Sequence, residues 1–228
     1  MTEAGALRTS LRTAAILAVF TLIFTLLMAS TYRATKPSIE ASAEAEKMKL
    51  VNEVLPPDLY DNAPLGDWVA VPPSRELGYG AKDGPLRVLR ARRGDAPAAL
   101  VLEAVAPDGY AGKIHLILGV DAGNRLLGVR VVKHAETPGL GDYIDPKKDR
   151  NKASPWIRQF DAKGFDQVAA TEWRVKKDGG RFDARAGATI SARAVTNAVR
   201  RALQYATDNR DRLYAPPAQA TLQGGEQP

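Results

Sequence analysis

An apolar run near the N-terminus constrains the fold of this chain more than any other feature. It extends from Thr13 to Thr31 and contains no charged residue. As an α-helix the run would be ~28 Å long at ~1.5 Å per residue, close to the ~30 Å hydrocarbon core of a bilayer. Arg8 and Arg12 precede it, so a cleaved signal peptide is the alternative. The run is longer than a usual signal core and no clean Ala-x-Ala site ends it, which favours an uncleaved membrane anchor.

The basic residues beside the run do not decide which way the anchor crosses a membrane. Two arginines come before it, and Arg33 and Lys36 come after it, so the bias in Lys and Arg is near neutral. Behind the anchor, a helix rich in Ala, Glu and Lys is expected to begin after Pro37. By composition we predict a short N-terminal segment at 1–12, the anchor at 13–31, a helical linker at 32–57, one folded domain at 58–214 and a disordered tail at 215–228.

Alternation of apolar and polar residues predicts a sheet in the first half of the domain. Four strands are expected, at about 86–92, 98–105, 112–119 and 126–133, after an irregular segment at 56–85 that is rich in Pro and Gly. Farther on, the pattern predicts a short helix at 154–160, a strand at 165–175 and an amphipathic helix at 192–206. Together these elements predict an α+β fold, an antiparallel sheet flanked by helices, with one N-terminal transmembrane helix.

Residue counts exclude several kinds of site. The chain has no cysteine, which excludes disulfides, iron–sulfur ligation, c-type haem attachment and thiol catalysis. Its two histidines, His115 and His134, lack the spacing of zinc ligands, so we predict no metal site. A redox centre would therefore have to be an organic cofactor.

The net charge of +6 raises the question of a nucleic-acid partner, but the basic residues are scattered. No nucleic-acid-binding signature accompanies them, so we predict no such partner. The densest basic cluster is typical of a solvated loop, and attraction of a phosphate or an acidic surface is the alternative. Its members are Arg174, Lys176, Lys177, Arg181 and Arg185.

The most informative motif is Arg185–Ser191, which reads Arg-Ala-Gly-Ala-Thr-Ile-Ser directly before the amphipathic helix. It puts the hydroxyl of Thr189 at a helix start, where unpaired N–H groups and the macrodipole favour a phosphate. Gly187 can take positive φ and, with Ala188, leaves the backbone open to an incoming group. The alternative is that the threonine simply caps the helix.

A second motif, His134–Asp142, follows the strand predicted at 126–133 and reads His-Ala-Glu-Thr-Pro-Gly-Leu-Gly-Asp. A Pro-Gly turn with polar side chains at a strand end is a common place for ligand contacts. Pro138 biases Thr137 towards extended geometry, while the glycines allow tight bends. An ordinary solvated turn is the alternative.

These two motifs match a known family. The chain resembles the G subunit of the Rnf (or Rsx) electron-transport complex, a membrane-anchored FMN-binding protein, from Met1 to about Tyr214. Matching residues also include Gly109–Ile114, Gly119–Asp121, Gly128–Val131, Trp156, Ile157, Phe160 and Arg193–Val195. The resemblance implies that FMN is joined covalently, through its phosphate, to Thr189, with Asp183 as the acid shortly before it. The chain departs from the family at Ala186, where Ser or Thr is usual.

The resemblance also implies which residues surround the FMN. The loop from His134 to Leu140 would cover the isoalloxazine ring, with Glu136 and Thr137 making polar contacts and Leu140 packing on the ring. Gly187, Ala188 and Ile190 would line the attachment turn. No catalytic residue is implied, because such a protein does not complete a reaction alone.

By the same resemblance, the chain is one redox carrier in a membrane translocase that couples electron flow between ferredoxin and NAD to ion movement. Its partners would be the other Rnf subunits and a flavin transferase. The resemblance also implies a single pass through the bacterial inner membrane, with 1–12 as a cytoplasmic N-terminus and the main domain on the periplasmic side. Three other interpretations stay open. They are the C subunit of the sodium-translocating NADH:quinone oxidoreductase, a non-redox assembly subunit without flavin, and a stand-alone flavin reductase, which the lack of a Gly-x-Gly-x-x-Gly fingerprint disfavours.

Overall fold

The computed structural model describes residues 3–222, and the chain separates into two units between Lys47 and Met48. Helix α1 runs from Glu3 to Asn52 as one continuous helix, so it contains the predicted anchor and most of the predicted linker. Among the described residues, it is the one helix that is long and apolar enough to cross a membrane, judged by length and composition.

The prediction that a helix begins after Pro37 was wrong, because α1 continues through this proline. Proline removes one backbone donor and can kink a helix, but the hydrogen bonds before and after it maintain the ladder. Within the apolar run, the hydroxyls of Thr13, Thr21 and Thr31 donate to the carbonyls four residues earlier at 2.8–3.0 Å. These bonds satisfy the hydroxyls inside the helix, as an apolar environment requires.

The second unit is built on a six-stranded sheet with the strand order β5-β4-β3-β2-β1-β6. The strands are β1 (Trp68–Val71), β2 (Leu86–Arg93), β3 (Ala96–Ala106), β4 (Ile114–Asp121), β5 (Leu126–Lys133) and β6 (Ala220–Thr221). Neighbours from β1 to β5 pair antiparallel, whereas β1 and β6 pair parallel. The four strands predicted from alternation are confirmed as β2 to β5, and so is the α+β class.

Two strands lie where none was predicted. Strand β1 falls in the segment expected to be irregular, and β6 falls in the tail expected to be disordered from Ala215. The backbone N–H groups of Gln219 and Leu222 donate to carbonyls of β1 at 2.7 and 2.8 Å. Pairing with a distant strand orders this segment, so the disorder prediction was wrong as far as residue 222. The rest of the predicted tail, 223–228, lies outside the described residues.

Helix α2 (Thr189–Asp208) covers one face of the sheet, and the short α3 (Arg210–Tyr214) follows it. The predicted apolar stripe is confirmed, since Val195, Val199 and Leu203 are fully buried in the main core. Burying each such side chain stabilises the fold by about 1.5–3 kcal/mol. The position of the first turn of α2 is therefore set by the core beneath it.

Between β5 and α2 the chain forms short 3-10 helices. They lie at Gly141–Ile144, Trp156–Phe160, Ala170–Glu172 and Lys176–Asp178, and one more, Pro57–Leu59, precedes β1. The short helix predicted at 154–160 is thus a 3-10 helix, and the strand predicted at 165–175 was wrong. The buried ring of Trp173 lies 4.8 Å from that of Phe182 and 6.4 Å from that of Phe160, between ring centroids. Ring packing and an isolated parallel bridge between Val175 and Phe182, rather than a strand, position this segment.

Candidate functional site

The predicted attachment turn lies at the start of α2. Ala188 is the N-cap residue and Thr189 is the first residue of the helix. Because the cap position holds an alanine, the capping role considered for Thr189 is wrong. Gly187 has a φ of +83°, in the left-handed region, and a Cβ added there would point into open space. The turn therefore presents Thr189 at a helix N-terminus, beside an open stretch of backbone.

The backbone before α2 is held by side chains. The N–H of Asp183 donates to the side-chain oxygen of Gln159 at 2.7 Å, and its carbonyl accepts from the ring N–H of Trp156 at 2.6 Å. Farther along, the N–H of Arg185 donates to the hydroxyl oxygen of Tyr143 at 3.1 Å. These contacts attach the turn to two of the 3-10 helices that follow β5.

The His134–Asp142 loop meets the same turn through Glu136. The carboxylate of Glu136 accepts a hydrogen bond from the hydroxyl of Ser191, in the first turn of α2, and one of 3.0 Å from the N–H of Ala111. Glu136 is 3% exposed and Ser191 is 1% exposed. A buried carboxylate is unfavourable unless it is hydrogen-bonded, and these bonds tie the β3–β4 connection, the loop and α2 together at one point.

Two glycines leave room for this carboxylate. A Cβ on Gly141 would lie 2.7 Å from Oγ of Ser191 and 2.8 Å from Oε2 of Glu136. A Cβ on Gly109 would lie 2.9 Å from Oε1 of the same carboxylate. Real side chains are not packed that closely, so both positions require glycine for the observed arrangement.

A cavity of about 250 Å³ opens between the loop and the attachment turn. It is lined by Tyr110, Glu136, Thr137, Leu140, Gly141, Gly187, Ala188, Ile190 and Ser191. Six of these nine are residues predicted from the sequence to surround a cofactor, namely Glu136, Thr137, Leu140, Gly187, Ala188 and Ile190. The structure thus brings the two motifs, which are distant in sequence, to one cavity.

The other two predicted site residues, Thr189 and Asp183, do not line the cavity. Thr189 is half-buried between two lining residues, and Asp183 is exposed, with its carboxylate 2.7 Å from Nζ of Lys176. Three lining residues, Tyr110, Gly141 and Ser191, were not predicted. Ser191 could have been found, because it is the last residue of the Arg185–Ser191 motif.

The mouth of the cavity is apolar. Tyr110 is 68% exposed, Leu140 is 55% exposed and Ile190 is 45% exposed. Among the described residues from 48 onward, these three and Val132 are the large hydrophobic residues that are exposed. Exposed apolar side chains that gather at one place indicate a surface for a ligand or partner.

The basic cluster before Thr189 is largely engaged in ion pairs. Lys176 pairs with Asp183, Arg181 lies 3.8 Å from a carboxylate oxygen of Glu172, and Arg185 pairs with the buried Asp149. Because these charges have partners, they brace the segment that leads to the attachment turn.

Two buried groups near the turn have shifted pKa values. Burial alone would raise the pKa of Asp149, but hydrogen bonds from the N–H groups of Trp156 and Asn151 and from the Arg185 guanidinium outweigh it and lower that pKa. Burial raises the pKa of the Tyr143 hydroxyl above its ordinary value. This hydroxyl therefore keeps its proton at neutral pH, and it can both donate and accept a hydrogen bond.

Comparison with known proteins gives a consistent result. The model of the FMN-binding domain family matches residues 109–204, and the model of the RnfG N-terminal region matches residues 1–54. The first of these ranges contains both motifs and every residue that lines the cavity.

Curated relatives are similar over most of the chain. The G subunit of the ion-translocating oxidoreductase complex of Pseudomonas aeruginosa is 49% identical over 177 residues, which are 78% of this chain and 78% of the relative. The protein of the same name from Cronobacter sakazakii is 45% identical over 172 residues, 75% of this chain and 78% of the relative. That from Shewanella loihica is 39% identical over 185 residues, 81% and 84% of the two chains.

Among solved structures, the crystal structure of Shewanella oneidensis NqrC is similar to this chain, with a TM-score of 0.40 and 21% sequence identity. The similarity covers 65% of this chain and 64% of that one.

Proposed function

This chain belongs to the family of G subunits of ion-translocating oxidoreductase complexes, and from that premise we propose that it is the electron-transfer flavoprotein of an Rnf complex. The proposed cofactor is FMN, seated in the cavity and esterified through its phosphate to Thr189. The observation that carries the proposal is the meeting of the His134–Asp142 loop and the Thr189 turn around one cavity. The match to the RnfG N-terminal region favours this function over that of the C subunit of the sodium-translocating NADH:quinone oxidoreductase.

The residues around the cavity fit a flavin. An isoalloxazine ring has apolar faces and polar edges, and ligand sites of this kind combine many apolar contacts with few polar ones. Tyr110, Leu140 and Ile190 supply apolar surface at the mouth, and Thr137 supplies a hydroxyl from the loop. Glu136 already accepts hydrogen bonds from two protein groups. We therefore propose two roles for it: it fixes the shape of the cavity, and it contacts a polar edge of the ring.

The start of α2 suits the phosphate. The first backbone N–H groups of a helix have no partner within it, and the macrodipole places about half a positive charge there. Gly187, with no side chain, leaves space for a phosphate beside Thr189. Since the nearby Arg185 is paired with Asp149, the helix terminus is the main source of positive potential in this proposal.

Attachment is a phosphoryl transfer without change of oxidation state. The hydroxyl oxygen of Thr189 would form a bond to the FMN phosphorus, the bond from phosphorus to a leaving group would break, and the hydroxyl proton would pass to that leaving group. A flavin dinucleotide provides such a leaving group, because its nucleoside monophosphate half departs with the electron pair. We assign this step to a separate flavin transferase, for which Thr189 is partly exposed and Asp183 is exposed.

When bound, FMN can accept two electrons and pass them on one at a time, which suits a carrier between other redox centres. The residues of this chain hold the flavin in position, and the covalent bond prevents its loss in a compartment that supplies little free flavin. In this proposal α1 is a single-pass anchor in the bacterial inner membrane and the domain is periplasmic. Electrons arrive from and leave to sister subunits, so the chain completes no reaction alone.

The test is mass spectrometry of the full-length protein produced together with a flavin transferase. We expect an adduct with the mass of FMN on the peptide that contains Thr189, lost in Thr189→Ala. The matched control is Thr207→Ala, the same change on α2 at a hydroxyl that donates to the carbonyl of Leu203. This control should keep the adduct. An adduct that persists in Thr189→Ala after denaturation, or no adduct on the unmodified chain, contradicts the proposal, and the second result favours the non-redox assembly subunit.

A further inference from the structure

The hydroxyl of Tyr143 contacts the attachment turn at both of its ends. It accepts from the N–H of Arg185 at 3.1 Å and lies 3.4 Å from the carbonyl oxygen of Ala188, to which it donates. We propose that Tyr143 is a positioning residue for flavin attachment, which fixes the Arg185–Ala188 turn so that Thr189 faces the incoming phosphoryl group. This inference rests on the attachment of FMN to Thr189 proposed above.

The contacted carbonyl is well placed for this role. It belongs to the peptide that joins Ala188 to Thr189, so its orientation determines where the first residue of α2 begins. The turn is closed by a bond of 3.1 Å from the N–H of Ala188 to the carbonyl of Arg185. The Tyr143 hydroxyl therefore bridges the two residues that this bond joins, from outside the turn.

The ring that carries this hydroxyl is itself fixed. Tyr143 is buried, and the ring of Trp156 packs edge-on against it with centroids 5.4 Å apart. The Arg185 guanidinium lies over the ring, 4.6 Å from its centroid, and pairs with the buried Asp149. Since the core holds the ring, the hydroxyl is in place before any flavin arrives, which is how a supporting residue preorganises a site.

The turn needs such support because its own side chains are small. Ala186, Gly187 and Ala188 have no group that could bond to the backbone, and glycine has the greatest conformational freedom of any residue. A group that must attack in a defined direction reacts more slowly when its backbone samples other conformations. One external hydroxyl that contacts both ends of the turn reduces that sampling.

Tyr143→Phe tests the inference, because it removes the hydroxyl and keeps the ring. The rate of FMN attachment to full-length protein in detergent is followed by intact mass, with a flavin transferase and increasing concentrations of flavin dinucleotide. We expect the maximal rate to fall about tenfold, equivalent to about 1.4 kcal/mol, with the half-saturating donor concentration unchanged. The acceptor position would change in this variant, whereas donor binding would not.

The matched control is Tyr214→Phe, which removes the hydroxyl of a partly buried tyrosine that donates to the carbonyls of Ala91 and Ala99, away from the cavity. It should attach FMN at the normal rate. Equal slowing in both variants, or normal attachment in Tyr143→Phe, overturns the inference. Failure of the unmodified chain to acquire FMN would instead refute the proposed function, so the two failures are distinguishable.

Hydrogen exchange gives a second measurement that does not depend on flavin. The amides of residues 185–190 should exchange several-fold faster in Tyr143→Phe than in the unmodified protein, and Tyr214→Phe should leave them unchanged. Unchanged exchange in Tyr143→Phe would show that the hydroxyl does not hold the turn, and would overturn the inference even if attachment were slower.

Discussion

Ser191→Ala should destabilise the domain more than Glu136→Gln, which neutralises the carboxylate that Ser191 contacts. Ser191→Ala leaves one oxygen of the buried Glu136 carboxylate without its donor. An unsatisfied buried polar group costs about 1–3 kcal/mol, and we expect about 2 kcal/mol here. Glu136→Gln keeps both bonds, because the amide oxygen accepts from the N–H of Ala111 and the amide nitrogen donates to Oγ of Ser191. We expect it to cost less than about 1 kcal/mol.

The assay is unfolding of the full-length protein in detergent, followed by tryptophan fluorescence, since all three tryptophans lie after residue 47. For a domain of this size, 2 kcal/mol corresponds to a fall in Tm of about 4–8 °C. The control is Ser154→Ala, at an exposed serine, which should stay within about 0.5 kcal/mol of the unmodified chain. The reasoning is refuted if Ser191→Ala unfolds like this control, or if Glu136→Gln is the more damaging of the two.

Two further changes probe the same region. Gly141→Ala should displace the Glu136–Ser191 pair, because its Cβ would lie 2.7 Å from Oγ of Ser191. It should lower flavin content several-fold, measured by absorbance per protein, whereas Gly84→Ala, whose Cβ meets open space, should not. The pKa of Asp149 is lowered in the folded protein. The Asp149 carboxylate therefore stabilises the fold fully above its ordinary pKa of 3.8, and this stabilisation is lost as the pH falls through the lowered pKa. The difference in free energy of unfolding between the unmodified chain and Asp149→Asn should therefore shrink below about pH 4, and a constant difference would contradict this account.

Strands β2 to β5 could be predicted because each contains its own signal. The apolar run along Ile114–Asp121, for example, is a property of consecutive residues. Strands β1 and β6 have only four and two residues, and β6 exists because it pairs with the distant β1. The segment around Trp173 has apolar residues suited to a strand, but the ring of Trp173 packs against those of Phe165 and Phe182. Contacts between distant segments decided these elements, and no local pattern records them.

At the cavity, too, some residues could be predicted from local motifs, whereas contacts between distant segments could not. Thr137, Leu140 and Gly187 belong to short contiguous motifs, so their neighbours in sequence indicate a ligand site. The bonds of Glu136 to Ser191 and Ala111 join three separate segments, and only the fold brings these groups together. Tyr143 follows the loop motif directly, yet nothing in its own neighbourhood indicates that its hydroxyl reaches a backbone group 42 residues away.

A threonine that accepts FMN covalently, as we propose for Thr189, must satisfy two requirements that oppose each other. The threonine must be accessible to a transferase, so it cannot be buried within the sheet. Its backbone must also be rigid, so it cannot lie in a flexible loop. Here the segment before Thr189 is held by Gln159, Trp156 and Tyr143, whose side chains bond to its backbone. Two buried side chains, Trp156 and Tyr143, and the half-buried Gln159 thus make the segment rigid, while Thr189 stays partly exposed. Since the hydroxyl that contacts the turn comes from Tyr143, the geometry of the turn does not depend on a hydroxyl at position 186, and we expect the alanine there to be compatible with attachment.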